Sequence, residues 1–123
     1  MKLFSNFLSS LRNALSGWRY LFVSQQNFLI QDFFGLMVFI TAWLLKVKRQ
    51  DWLVLLLLVT MVLVLETLNT VFEFFLDMVK PKINSYVKMF KDMLAAMVLL
   101  ASLAAGIIGI IIFYPYLRNI FVQ

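Results

Sequence analysis

The stretch ETLNTVFEFFLD, residues 66–77, places Glu66, Asn69, Glu73 and Asp77 directly after fourteen uncharged residues, WLVLLLLVTMVLVL. On a helix at about 100° per residue, with Glu66 as zero, Asn69 lies at about −60°, Thr70 at about +40°, Glu73 at about −20° and Asp77 at about +20°. The five share one stripe about 100° wide, and Leu68, Val71, Phe72 and Phe75 fall outside it. If Trp52 marks one membrane interface, Glu66 lies about 21 Å along the axis, inside a hydrocarbon core of roughly 30 Å. Glu73 then sits near the far boundary and Asp77 among the headgroups.

A charge at span depth costs on the order of 2.5–3.5 kcal/mol even on lenient scales, so a residue such as Glu66 needs a partner or a task. A carboxylate held away from water is a competent proton acceptor. Asp77 also has a plain structural reading, as the end of a helix neutralised by Lys80 and Lys82. Across the following loop stand Lys91 and Asp92, opening the next apolar run. A lysine beside inward-facing carboxylates can hold a phosphate while Glu73 holds the Mg²⁺ that accompanies it. The alternative for Lys91 is a side chain that snorkels to the interface.

The elements that must carry these groups are membrane spans. Of the 123 residues, 63% are hydrophobic and 14% charged, with a mean hydropathy of +0.93, whereas soluble domains carry roughly 45–50% apolar and about 25% charged residues. The expectation is one all-α integral membrane domain. Met1 to Ser24 has neither the apolar core nor the small-residue cleavage site of a signal peptide. With no cysteine and no histidine, a metal must be held mainly by oxygen ligands, which points to a hard cation.

Residues 4–22 read as an amphipathic helix lying in the headgroup region: Phe4, Phe7, Leu8, Leu11, Leu15 and Trp18 recur at three- and four-residue steps, opposite Ser5, Ser9, Arg12, Asn13 and Ser16. A cytosolic cap packed on the spans is the alternative. Spans are expected over 28–46, 52–79 and 91–114, the last stopping before Pro115. With the N-terminus inside, Lys2, Arg12, Arg19, Lys80, Lys82, Lys88 and Lys91 face the cytoplasm, against Lys46, Lys48, Arg49 and Arg118 outside. Trp43, Trp52, Tyr114 and Tyr116 then form the outer aromatic belt. In the third span Ala101, Ala105 and Gly109, flanked by Ser102 and Gly106, allow close helix approach. Three spans are few for enclosing a polar site, so a homo-oligomer is expected.

Taken together, ETLNTVFEFFLD and KDMLAAMVLLAS, with fourteen residues from Asp77 to Lys91, resemble the prokaryotic diacylglycerol kinase family and its pattern E-x-x-N-[ST]-x-x-E-x-x-x-D followed by K-D. The tail KDMLAAMVLLASLAAGIIGIIIFYP is most similar to the Gram-positive undecaprenol kinase branch. The resemblance implies a homotrimeric bundle, each chain with a surface helix and three spans, in the bacterial inner membrane with its N-terminus cytoplasmic. It implies transfer of the γ-phosphoryl of ATP, with Mg²⁺, to the hydroxyl of a membrane lipid, undecaprenol or diacylglycerol, and no nucleic-acid partner. Glu66 then matches the general base, with Asn69 beside it. Glu73 matches a metal-binding carboxylate, Asp77 a residue of the nucleotide site, and Lys91 the phosphate-binding lysine supported by Asp92. Arg19 matches a basic position of the surface helix.

The sequence also departs from the family. Gln25 stands where a glutamate usually shares the metal, Gln31 where histidine or glutamate is usual, Leu29 where arginine is frequent, and Asn84 where a histidine is common. A glutamine can ligate through its carbonyl but lacks the charge that favours Mg²⁺. Two readings follow: an active lipid kinase, or a catalytically impaired paralogue acting as a trimeric scaffold for a lipid or protein.

Overall fold

The computed structural model describes residues 1–79 and 84–122, and all of its regular structure is helical: α1 (Lys2–Ser24), α2 (Gln26–Leu44), α3 (Arg49–Val79) and α4 (Asn84–Phe121). Three helices are long and apolar enough to cross a membrane, within Gln26–Leu44, Arg49–Val79 and Tyr86–Phe121. Helices satisfy every backbone polar group internally, which hydrocarbon demands. Thr41, Thr67 and Thr70 follow the same rule, each donating its hydroxyl to the carbonyl one turn back, on Met37, Leu63 and Glu66.

α1 and α2 join through one residue. Gln25 adopts an extended conformation (φ −115°, ψ 102°), donating its N–H to Leu21 and accepting from Leu29. The chain changes direction there with no gap in its backbone bonding. Phe22 meets Phe28 edge-on across the joint, and Tyr20 meets Phe74, which ties the end of α1 to α3 beside Glu73. The apolar side chains of α1, from Phe4 to Trp18, lie exposed.

The α2–α3 turn has tighter chemistry. The N–H of Val47 bonds to Ala42 O, and that of Lys46 to Trp43 O. This paired bonding closes a helix end around a left-handed residue, usually glycine. Here the left-handed residue is Lys46, with φ 53°. Ala42 and Val47, which the turn brings together, form the apolar core of this end with Leu55, against Trp52, Phe113 and Tyr116.

α3 is the central element, packed on α4 along most of its length and on α2 over a shorter stretch. The close approach of α2 depends on Gly35: a Cβ there would stand 2.7 Å from Val59 Cγ1. Two features differ from the sequence expectations. Pro115 does not stop the last helix, which continues to Phe121; the ring removes only one N–H, and the next residue, Tyr116, is anchored into the α2–α3 turn. The basic segment after the carboxylates is helical from Asn84 onward, which puts Lys88 and Lys91 on α4. Lys80 and Lys82 lie outside the described residues, as does the side chain of Asn84.

Gly35→Val should destabilise the α2–α3 contact by roughly 1–3 kcal/mol, since valine at position 59 is too stiff to move aside. Thermal unfolding in detergent should show a lower midpoint, restored in part by Val59→Ala. An unchanged midpoint would show that α2 does not depend on this approach.

Candidate functional site

The polar stripe of α3 is graded. Asp77 is exposed, Glu73 half-buried, and Asn69, Thr70 and Glu66 are 8%, 3% and 4% exposed. Leu68, Val71, Phe72 and Phe75, on the remaining faces, are exposed. α3 therefore turns its carboxylates toward its neighbours and its aromatics outward. Glu66 makes no ion pair among the described residues. The nearest charge acting on it is Glu73, of its own sign. The amide oxygen of Asn69, one turn along, is buried with no hydrogen-bond partner among the described residues.

At the exposed end, Lys91 Nζ reaches across from α4 to Asp77 Oδ1 at 2.6 Å. The lysine also feels the charge of Glu73. Exposed ion pairs of this kind contribute little to stability, so the ammonium is held in place yet free to exchange partners. Asp92 is 100° further round α4, on an outward face with Lys88 and Met89, and is not brought to the carboxylates within this chain. Arg19 is exposed on α1 beside Tyr20. Gln25 is half-buried at the α1–α2 joint.

As for a cation, no three acidic, histidine or cysteine side chains converge among the described residues. The oxygen donors the family resemblance offers are the carboxylate of Glu73 and the side-chain amide of Gln25. Mg²⁺ is commonly bound by one or two carboxylates together with substrate phosphates and water. This donor set therefore fits a metal that arrives on phosphates and does not fit a resident ion.

Ser102 is the site residue that sequence reasoning missed, having been read only as part of a small-residue ridge. It lies 11 residues after Lys91, as Glu66 lies 11 before Asp77, so the two are level across the antiparallel α3–α4 pair. Its hydroxyl oxygen is buried without a partner among the described residues. It also lines a groove of about 540 Å³ between α2, α3 and α4, with Gly35, Val62, Ala105, Gly106 and Gly109. The groove reaches Val62, one turn from Glu66. The available signal was a lone hydroxyl in an otherwise apolar span.

Three membrane-length helices with a polar strip running from a surface ion pair to a buried carboxylate define a polytopic membrane protein with an interfacial site. The chain matches the family model of prokaryotic diacylglycerol kinase over residues 12–113 and belongs to that family. A protein named diacylglycerol kinase from a Synechocystis species is 38% identical over 118 residues, 95% of this chain and 67% of the relative. One named undecaprenol kinase from Bacillus subtilis is 30% identical over 94 residues, 76% of each chain. No solved structure matches.

An unpaired buried carboxylate is a stability cost retained for another reason. Glu66→Gln should therefore leave the thermal midpoint in detergent unchanged or higher. A clearly lower midpoint would make Glu66 a structural residue.

Proposed function

We propose that the protein is an ATP-dependent lipid kinase that phosphorylates the hydroxyl of a membrane alcohol at the cytoplasmic interface. The observation that carries this reading is the graded strip of α3, with a lysine paired at its exposed end and an unpaired carboxylate at its buried end. In one helix it spans the distance from aqueous nucleotide to lipid hydroxyl. Glu66 accepts the proton of the alcohol as the alcohol oxygen bonds to the γ-phosphorus and the bond to the β,γ-bridging oxygen breaks, releasing ADP. Asn69 stands beside the hydroxyl, where its amide N–H can donate to the alcohol oxygen as Glu66 takes the proton. Lys91 leaves Asp77 for the phosphates, Asp77 and Arg19 stand beside the nucleotide, and Asp92 supports that site from a second chain. Glu73, with Gln25, holds the Mg²⁺ carried by ATP, which neutralises the phosphate charge when bound.

The working unit in this reading is a homotrimer in the bacterial inner membrane. The N-terminus is cytoplasmic, and α1 lies in the headgroup layer with its exposed apolar face in lipid. The hydrocarbon of the alcohol enters the α2–α3–α4 groove. The relatives' names support both undecaprenol and diacylglycerol as acceptors, and nothing in the site chemistry calls for nucleic acid. Gln25 favours the second reading, a scaffold whose metal site is weakened.

In mixed micelles with radiolabelled ATP, Mg²⁺ and either alcohol, labelled lipid should form, and Glu66→Gln should lower kcat by about 100-fold or more. Gln25→Glu should raise the apparent affinity for Mg²⁺. No labelled product with any lipid alcohol would establish the scaffold reading. A separate check concerns the groove. A Cβ on Gly106 meets nothing within 4 Å, so Gly106→Leu fills the groove without an internal clash. It should raise the KM for lipid several-fold and leave that for ATP unchanged. An unchanged lipid KM would remove the groove from the substrate path.

A further inference from the structure

The α3–α4 pair carries a second polar rung at the end away from the carboxylates. The hydroxyl of Tyr116 donates to Asp51 Oδ2 and accepts the backbone N–H of Lys48 at 2.9 Å. The two rungs are matched in length. Asp51 to Asp77 is 26 residues of α3, about 39 Å, and Lys91 to Tyr116 is 25 residues of α4, about 37.5 Å. That is close to the full thickness of a bilayer with its headgroups, about 40–45 Å, so both rungs fall at interfaces.

Between them the facing side chains are aliphatic or small, and Ala105, Gly106 and Gly109 border the open groove instead of gripping α3. In lipid such a surface has no hydrophobic drive toward one alignment, and packing alone distinguishes neighbouring registers weakly. A slip of one turn would move Lys91 about 5.4 Å along Asp77 and break their contact. The rung at that end cannot hold the register during turnover, because Lys91 must release Asp77 to bind phosphate. The other rung is outside the chemistry and stays closed throughout. It is also set against the Ala42–Val47–Leu55 core and the left-handed turn at Lys46.

We propose that Tyr116 is a positioning residue: its bonds to Asp51 and Lys48 fix the register of α4 on α3 from the far side of the membrane, so that Lys91 meets the nucleotide. This rests on the kinase reading for its consequence and on the two rungs for its geometry, and the two can be tested apart.

Thr70 lies seven residues before Asp77, Val98 lies seven after Lys91, and both are buried. They are therefore level in the native register, while Ser102 is level with Thr70 after a one-turn slip. The chain has no cysteine of its own. With Tyr116 intact, Thr70→Cys/Val98→Cys should oxidise to a cross-link far more readily than Thr70→Cys/Ser102→Cys. Tyr116→Phe should raise the slipped cross-link at least about threefold relative to the native one. If only a fraction of molecules is aligned, the apparent KM for MgATP rises by the inverse of that fraction while kcat is kept. Tyr116→Phe should thus raise that KM about three- to tenfold with kcat within about twofold. Asp51→Asn, which keeps an acceptor, should be milder than Asp51→Ala. Identical cross-link ratios in the two backgrounds would overturn the proposal, as would a fall in kcat at constant KM. A wild-type protein without kinase activity would overturn the kinase reading and leave the cross-link comparison decisive for the register.

Discussion

Hydrocarbon offers a buried charge no solvent and offers helices no hydrophobic reason to associate, and the arrangement of this chain follows from those two facts. Glu66 tolerates its depth only because α3 turns it inward, and α3 does so because Asn69, Thr70, Glu73 and Asp77 share its side of the helix. Everything else either covers that side or fixes its height. α4 packs beside it, and α2 comes close where Gly35 removes a side chain. The threonines on these faces avoid the same penalty by bonding to their own helix.

Membership of the prokaryotic diacylglycerol kinase family agrees with this economy. Phosphoryl transfer needs little from a protein beyond alignment and charge, and a few side chains on two helices suffice for that. The groove between α2, α3 and α4 is lined mainly by aliphatic side chains and glycines. Asn69 and Ser102 each retain a bonding position that the described residues do not fill.

The helices and the stripe were legible in the sequence because both depend on periodicity, which hydrophobic runs display directly. Glu66, Asn69 and Glu73 could be placed on one face by counting, and their graded burial follows from distance along a single axis. What could not be read were relations between elements. The pairing of Lys91 with Asp77 depends on how far α4 continues toward the surface, and the helical spacing of Tyr86, Val87, Phe90 and Leu94 is obscured by the lysines and polar residues among them. Tyr116 looked like one more interfacial aromatic because its partners lie more than sixty residues away. Pro115 looked like a terminator because local propensity does not include the tertiary anchor that follows it. Asp92 adjoined Lys91 in sequence, and adjacency on a helix means divergence in space.

The turn between α2 and α3 has a further meaning when considered as a ruler. Its length is fixed by the bonds from Lys46 and Val47 back into α2, and it determines where α3 starts. Glu66 follows Asp51 by 15 residues, about 22 Å of helix. The height of Glu66 is thus metered from the other end of α3. A residue gained or lost in that turn would shift the whole stripe up or down the bilayer and turn it relative to α2. Substitutions can alter the groove or the first helix piecemeal, but a change of length in this short connection moves the whole polar stripe at once.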